Sequence, residues 1–450
     1  MIHKFQMKDT YIVADVYSGA VHVVSPVVYD LLDDIDETDV TLTDEAIARL
    51  SPVYGETDVR EAFSEIETLA KAGALFAPDE YEAIAKNWNK QSVVKALCLH
   101  ITHDCNMRCK YCFADTGEYG GPRGFMRPEI GKKAIDFVIQ QSQGRKNIEI
   151  DFFGGEPLMN FDTVKEILEY AEAQGAQHGK VFRFTVTTNG LLLNDDNMRY
   201  INEHMSNVVL SIDGRKEVND AARPRVDGSG TYDAVLPKYQ KLADSRNQDN
   251  YYVRGTFTAN NLDFAKDALH LADLGFEQIS IEPVVLPDAH PMALKPEHLP
   301  TLYQQYEALS DAYIRRKKAG QGFNFFHFMI DFSQGPCAYK RLSGCGAGHE
   351  YVAITPDGDI YPCHQFVGNK DFLMGNVVTG GFDQTIRDTF MRSNIYTKDA
   401  CRDCWAKFYC SGGCMANAHN FNGDINKPYA LACDLERKRV ECAMYIAANA

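Results

Sequence analysis

The chain has 450 residues, of which 45% are hydrophobic and 11% aromatic, so it can bury a sizeable core and has room for roughly three domains. Its formal net charge of −16 argues against nucleic acid as the main partner, because neutralising phosphates needs clustered Lys and Arg. No stretch approaches the ~20 apolar residues of a membrane span and the opening lacks a signal-peptide pattern, which predicts a cytoplasmic protein without a membrane partner.

The first 78 residues are predicted to form a small separate domain. Two β-rich runs within residues 10–24 predict a hairpin, and a helix with a capping box is predicted to begin at Asp58. A hairpin followed by helices resembles a winged-helix arrangement. Residues 79–92 are polar and helical in pattern, which predicts a linker.

Strands and helices alternate from residue 93 to about 325. The predicted strands occupy residues 93–101, 147–153, 181–188, 207–213, 251–259 and 278–284. This alternation predicts an α/β fold whose parallel strands are joined by right-handed crossovers. Six such units make a partial (β/α)6 TIM-like barrel, and in such folds the functional site lies at the carboxyl ends of the strands.

Three cysteines follow the first of these strands: Cys105, Cys109 and Cys112. Structural metal sites usually close with four protein ligands, so three thiolates leave a metal position free for chemistry. A disulfide framework is not expected in a chain of this length without an export signal. The alternative is a zinc knuckle completed by His103 or Cys98.

Further polar and glycine residues follow the next three predicted strands. Two adjacent glycines let the backbone come close to a ligand, and Glu156 adds an acceptor beside them. Arg223 can pair with a carboxylate in a bidentate manner. Each of these residues could instead cap a loop. The candidate ligand-binding residues are Gly154, Gly155, Glu156, Pro157, Asn189, Ser211, Asp213 and Arg223.

The spacing of the first cysteines, with Tyr111 before the last one, resembles the radical S-adenosylmethionine (SAM) superfamily. The resemblance implies a [4Fe–4S] cluster whose unique iron binds the amino and carboxylate groups of the methionine part of SAM. It also implies that residues 154–157 bind the SAM amino group, and that the other candidate residues contact the ribose and the methionine end.

The segment from 326 to 450 is rich in cysteine and shows little periodicity, so it is predicted to need metal for stability. Seven of its cysteines match the SPASM pattern, which implies two auxiliary [4Fe–4S] clusters and three clusters in all. The implied ligands are Cys401, Cys404, Cys410 and Cys433 for one cluster, and Cys345, Cys363 and Cys414 for the other. Cys337 is the candidate for a fourth ligand that closes the second cluster. If Cys337 does not bind, one iron is open to a substrate thiolate.

The whole chain is similar to thioether-forming maturases of six-cysteine (SCIFF) precursor peptides. The resemblance implies that the N-terminal domain binds the leader of a cysteine-rich peptide. A 5′-deoxyadenosyl radical then removes an α-hydrogen, and a cysteine sulfur joins the α-carbon. A low-potential electron donor such as ferredoxin or flavodoxin is also implied.

One position departs from the pattern of a related group. His364 follows Cys363 where sulfatase-maturing relatives carry an aspartate base, which argues against sulfatase maturation. His364 is the candidate for shuttling a proton or for hydrogen bonding to the cluster. The alternative functions are sulfatase-type oxidation, carbon–carbon crosslinking of a peptide, or electron transfer by a multi-cluster protein without catalysis.

Overall fold

The N-terminal part is a three-stranded antiparallel sheet with helices packed on one face. The computed structural model describes residues 1–86, 92–333 and 341–450. The sheet has the order β1–β2–β3. The elements are β1 (Ile2–Met7), β2 (Thr10–Asp15), β3 (Val21–Val24), α1 (Pro26–Leu31), α2 (Asp44–Tyr54), α3 (Glu56–Lys71) and α4 (Tyr81–Lys86).

The sequence patterns predict only part of this unit. β2 and β3 form the hairpin expected within residues 10–24, whereas β1 and α2 are not predicted. The expected capping box is wrong, because α3 begins at Glu56 after Gly55 and Asp58 lies inside its first turn. Of the predicted linker 79–92, α4 occupies part and residues 87–91 lie outside the described residues.

Six parallel strands in chain order form the centre of the molecule, and they confirm the predicted partial barrel. They are β4 (Ala96–Thr102), β5 (Asn147–Gly154), β6 (Val181–Thr188), β7 (Asn207–Ser211), β8 (Tyr251–Phe257) and β9 (Gln278–Pro283). The associated helices are α5 (Pro128–Gln141), α6 (Phe161–His178), α7 (Asp195–His204), α8 (Lys216–Ala222), α9 (Tyr232–Ser245), α10 (Phe264–Asp273) and α11 (Leu299–Lys318). The short helix α8 is not predicted by the sequence.

The strand register separates an apolar outer face from a polar inner face. Leu99 pairs with Phe152, and both are fully buried in the main core with the helices. The alternate residues Cys98 and Asp151 also pair, and Asp151 pairs with Thr185 on the next strand. Because side chains alternate along a strand, this second set faces the barrel interior.

The C-terminal region continues the same sheet rather than forming a separate layer. β10 (Asn324–Phe325) pairs with β9, and β11 (Tyr351–Ile354) pairs in parallel with β4. β12 (Asp359–Tyr361) and β13 (Gly375–Asn376) extend that edge in antiparallel fashion. The remaining helices are α12 (Gln384–Arg392), α13 (Asp399–Arg402), α14 (Lys407–Cys410), α15 (Met415–Asn422) and α16 (Ala430–Asn449).

This region has more regular core than its sequence pattern indicates. Leu435 and Val440 of α16 are fully buried in the same core as the barrel strands. Their helix packs against α11, so helix packing as well as any metal holds the region in place. No helix in the described part of the chain is long and apolar enough to cross a membrane.

The N-terminal sheet packs between its own helices and the rest of the molecule. Val13 faces the small N-terminal core, whereas Ile12 belongs to the main core. The ring of His3 stacks on the ring of Trp405, with centroids 3.7 Å apart. The N-terminal unit therefore contacts the segment that carries the predicted cluster ligands of residues 401–410.

Candidate active site

The first cysteine loop follows β4 and is anchored by the segment after α8. Its partly buried cysteines are Cys105, Cys109 and Cys112. The amide of Arg108 donates to the carbonyl of Pro224 at 2.8 Å, and the amide of Lys110 donates to the carbonyl of Ala222 at 2.9 Å. These main-chain bonds fix the path of the loop across the mouth of the barrel.

The buried thiols of this loop need a metal to become thiolates. Burial raises the pKa of the Cys105 thiol to about 12 and that of Cys109 to about 11, so both are protonated until a metal binds. Every cysteine in the described residues is free, and those residues contain no group of His, Cys, Asp or Glu close enough for a single metal ion.

The alternative zinc ligands are engaged elsewhere. A ring nitrogen of His103 lies 3.0 Å from Nδ1 of the buried His100, and the His103 ring stacks on Tyr119. Cys98 lies within β4 and faces the barrel interior beside Asp151. The described residues therefore do not assemble the zinc knuckle that the sequence left open.

The two glycines after β5 allow a close approach between two main chains. A Cβ on Gly154 would lie 2.3 Å from the carbonyl oxygen of Thr102, and one on Gly155 would lie 1.9 Å from that of Asp104. The Gly155 amide donates to Thr102 at 2.8 Å, and the Glu156 amide donates to Asp104 at 3.0 Å. The glycines thus bring the turn against the cysteine loop, whereas the sequence predicted an approach to a ligand.

Glu156 organises the neighbouring strand end from inside the protein. Its buried carboxylate accepts hydrogen bonds from the Thr188 hydroxyl at 2.7 Å and from the amides of Asn189 at 2.7 Å and Leu158 at 3.0 Å. Asn189 then donates through Nδ2 to Oδ1 of Asn106 at 2.8 Å and to Sγ of Cys105 at 3.5 Å. The side chain of Asn189 therefore lies directly beside the candidate cluster site. Pro157 begins a short 3-10 turn.

A buried hydrogen-bonded network supports the other side of the cysteine loop. The Tyr111 hydroxyl donates to the Asp213 carboxylate at 2.8 Å and accepts from Nη1 of Arg223 at 2.7 Å. The Thr256 amide donates to Asp213 at 3.0 Å. Burial raises the pKa of Asp213 to about 6, although Arg223 and Tyr111 oppose that shift. This arrangement positions Asp213 to support the loop.

Arg223 keeps a free donor in this network. Its buried Nε has no hydrogen-bond partner among the described residues, so it can serve a ligand carboxylate. The carbonyl of Ser211 accepts from the hydroxyl of Tyr239 at 3.2 Å, at the end of β7. Asn189 thus lies beside Cys105, and Arg223 and Asp213 contact Tyr111 of the cysteine loop, whereas Ser211 contacts Tyr239.

A carboxyl group that the sequence analysis missed faces the barrel interior. Asp151 has one carboxylate oxygen, Oδ1, that is buried without a partner in the described structure. Burial raises the pKa of Asp151 to about 7, with Arg254 opposing the shift. Cys98 of β4 pairs with Asp151, and negative charge on Asp151 raises the pKa of Tyr351 of β11. Asp151 can therefore exchange a proton near neutral pH.

His364 lies in an aromatic contact that links two cysteine segments. Its ring centroid is 5.3 Å from that of Phe113, which follows Cys112, and 5.3 Å from that of Phe153. Nδ1 of His364 lies 3.3 Å from the hydroxyl of Tyr351. Burial lowers the pKa of His364 to about 4, so the imidazole is neutral at pH 7.

The C-terminal cysteines influence one another in two groups. Burial and negative charge on Cys414 and Cys345 raise the pKa of Cys363. Burial and negative charge on Glu436, Cys433 and Cys401 raise the pKa of Cys410 to about 12. Negative charge on Cys404 raises the pKa of Cys401 and that of Cys433. These groups coincide with the ligand sets implied by the SPASM pattern, whereas Cys337 lies outside the described residues.

Two family models match this chain, the radical SAM superfamily over residues 99–281 and the SPASM iron-sulfur cluster-binding domain over residues 345–405. Mycofactocin maturase MftC of Mycobacterium ulcerans is 28% identical over 328 residues, which are 71% of this chain and 83% of that protein. A cysteine-type anaerobic sulfatase-maturating enzyme of Clostridium novyi is 23% identical over 345 residues, 72% of this chain and 88% of that protein.

Solved structures of Streptococcus suis SuiB align with almost the whole chain. Streptococcus suis SuiB bound to precursor peptide SuiA has a TM-score of 0.56 at 16% identity, covering 95% of this chain and 97% of SuiB. At this identity the likeness concerns the fold, and its coverage extends over most of the N-terminal unit.

We expect Gly155→Ala to displace the cysteine loop, because the new Cβ would overlap the Asp104 carbonyl. SAM binding and iron content after anaerobic reconstitution should fall several-fold. Gly124→Ala is the matched control, since its Cβ would meet nothing within 4 Å on a segment that also borders the loop. Parent-like SAM binding by Gly155→Ala would contradict this role of the turn.

Tyr111→Phe should lower the free energy of unfolding by about 1–3 kcal/mol, because it removes a donor from the buried Asp213 carboxylate. Tyr170→Phe removes a comparable hydrogen bond to the exposed Asp136 and should cost less than about 1 kcal/mol. Urea denaturation of both variants measures the difference. Equal losses would show that the buried network is not the main support of the loop.

Asp151→Asn should make the stability less dependent on pH. A carboxyl whose folded pKa is raised stabilises the fold fully below its ordinary value of 3.8, and that contribution is lost as the pH rises through about 7. The Asn variant should therefore exceed the parent in unfolding midpoint by a margin that grows from pH 5.5 to pH 8. The exposed Asp162→Asn should show no such growth. A constant margin for Asp151→Asn would refute the assigned pKa.

Proposed function

We propose that this chain, which combines a radical SAM domain with a SPASM domain, joins a cysteine sulfur to the α-carbon of another residue. The substrate is a ribosomally made, cysteine-rich precursor peptide. The cofactors of the two domains are SAM and [4Fe–4S] clusters. With SAM and three clusters bound, the enzyme has a 5′-deoxyadenosyl radical available to remove the α-hydrogen. The side chains hold the cofactors, orient the peptide and exclude water.

The contact between His364 and Phe113 is the observation that carries this proposal. These residues directly follow Cys363 and Cys112, so the contact joins two segments that are each proposed to supply ligands to a three-cysteine site. A peptide thiol at one site can then lie near a peptide α-carbon at the other. A purely electron-carrying role does not require a polar interior beside such a contact.

In this proposal the loop of Cys105 holds the cluster that binds SAM. Asn189 lies beside the Cys105 sulfur, and Nε of Arg223 offers a donor to the SAM carboxylate. The turn of Gly154, Gly155, Glu156 and Pro157 is proposed to border the methionine end, where its main-chain carbonyl oxygens can accept from the SAM amino group because its amides already bond the cysteine loop. Ser211 and Asp213 are proposed to contact SAM directly or through neighbouring residues.

The second three-cysteine group is proposed to hold the peptide thiol. Cys345, Cys363 and Cys414 supply three thiolates and leave one cluster position for the substrate, unless Cys337 occupies it. The group of Cys401, Cys404, Cys410 and Cys433 supplies four ligands and is closed. An auxiliary cluster would take up the electron released when the carbon–sulfur bond forms, and a low-potential donor such as ferredoxin or flavodoxin would supply the electron that cleaves SAM.

Two side chains in the interior suit the proton that leaves the peptide thiol. Asp151 has a pKa of about 7, which matches a proton acceptor at neutral pH. His364 is neutral and lies near the Tyr351 hydroxyl, so its proposed part is to relay that proton or to orient the thiol.

The N-terminal sheet is proposed to bind the leader of the peptide. In the described residues β3 pairs on one side only, and Val23 of this strand is 60% exposed. The other edge strand, β1, lies against the C-terminal region through His3 and Trp405. An extended leader can therefore add as a strand along β3, with its main chain supplying the hydrogen bonds.

The alternatives make different products. A thioether removes two hydrogens per link and consumes a free thiol, whereas oxidation of a cysteine to formylglycine replaces its sulfur. Carbon–carbon crosslinking leaves every thiol available for alkylation. A non-catalytic electron carrier would not cleave SAM at all.

We expect Cys105→Ala to abolish SAM cleavage, whereas Cys345→Ala should still cleave SAM but form no crosslink. Incubation with a cysteine-rich precursor peptide, SAM and reductant, followed by mass spectrometry with thiol alkylation, measures both. Cys442→Ala removes a buried thiol of α16 outside both sites and should retain both activities. Loss of SAM cleavage in Cys345→Ala equal to that in Cys105→Ala would contradict this division of labour.

A further inference from the structure

Lys398 is a buried lysine between the two groups of C-terminal cysteines. It directly precedes α13, and its side chain is 1% exposed. Nζ donates to the carbonyl of Gly412 at 2.8 Å. Gly412 lies between Cys410 of one proposed cluster and Cys414 of the other, so the ammonium is seated on the short loop that joins the two sites.

The described residues provide no carboxylate partner for this ammonium. Burial lowers the pKa of Lys398, and negative charge on Cys401, Cys410, Cys414 and Cys345 opposes that shift. Two of these thiols belong to each proposed cluster. An uncompensated buried charge is costly, and a single carbonyl is a weak counterpart for it. Within the described residues, the negative charges that act on this ammonium are those of the cysteine sites.

We infer that Lys398 is a shared counter-ion of the two auxiliary cluster sites and raises the reduction potential of both. This inference rests on the proposed function, which places a cluster at each site. Each reduction adds one electron to a cluster whose thiolates are already negative. A fixed positive charge in a poorly polarisable interior stabilises the reduced form of each cluster, while the lysine keeps its proton.

Lys407 provides a matched comparison because it is also 1% exposed. Its ammonium lies 3.6 Å from the Asp79 carboxylate and 4.7 Å from the centre of the Tyr17 ring. Its charge is therefore balanced by the N-terminal unit. Cys404 is the cysteine whose negative charge opposes the lowering of the Lys407 pKa by burial. Lys407→Met tests the general effect of replacing a buried lysine.

The test compares Lys398→Met, Lys398→Gln and Lys398→Arg in the full-length, anaerobically purified protein. Iron content is measured first, and each cluster is then titrated potentiometrically with electron paramagnetic resonance as the readout. We expect both neutral variants to lower the midpoint potentials of both auxiliary clusters and Lys398→Arg to stay near the parent. Lys407→Met should leave the potential of the Cys345, Cys363 and Cys414 site unchanged.

Every outcome of this test bears on the inference. Unchanged potentials with full iron content, or a shift confined to one auxiliary cluster, would overturn it. Loss of iron from both auxiliary sites in both neutral variants, with retention in Lys398→Arg, would support it, because the clusters would then need the charge to form. If the parent itself carries iron only at the Cys105 site, the proposed function fails before any variant is compared. If the potentials shift but no thioether forms, the inference stands without that function.

Discussion

Two main-chain hydrogen bonds between the carboxyl ends of β4 and β5 fix the geometry of the candidate active site. They join the amides of Gly155 and Glu156 to the carbonyls of Thr102 and Asp104. The approach is so close that no side chain fits at position 155. The same turn sends the Glu156 carboxylate inward, where it orders the end of β6. The cysteine loop, the turn and the neighbouring strand end therefore form one rigid unit, and any ligand bound there meets donors that are already in place.

The interior of the barrel is polar although its outer face is packed with apolar side chains. Burial raises the pKa of Asp151 and lowers that of His364, so it favours the neutral form of both groups. Because β11 pairs directly with β4, the C-terminal region is held in register with the first cysteine loop. The distance between the two three-cysteine sites is thus set by a shared sheet and not by a flexible connection between domains.

The barrel could be predicted from the sequence because buried parallel strands and amphipathic helices leave regular patterns. The cysteine sites remain a prediction from the spacing of the cysteines and its resemblance to the radical SAM and SPASM patterns. The networks around them could not be predicted, since Tyr111, Asp213 and Arg223 meet only through tertiary packing. Asp151 had a weak signal, its place on the alternate face of a strand next to two phenylalanines. No sequence signal indicated the burial of Lys398, because a lysine near a helix start is ordinarily exposed. The patterns also missed β1 and the extended helix packing of the C-terminal region, where tertiary contacts outweigh local preference.

The stacking of His3 on Trp405 makes the N-terminal unit part of the enclosure of a cysteine site. Asp79 accepts from the hydroxyl of Tyr396 at 2.7 Å on the same side, and Cys401 shares a small apolar cluster with Val16. These contacts therefore constrain the exchange of the N-terminal unit for one from another protein during evolution. A recognition unit recruited from another enzyme would have to supply an aromatic cover and an acidic partner at matching positions. Under the proposed function, leader specificity and shielding of the clusters from oxygen would then be inherited together.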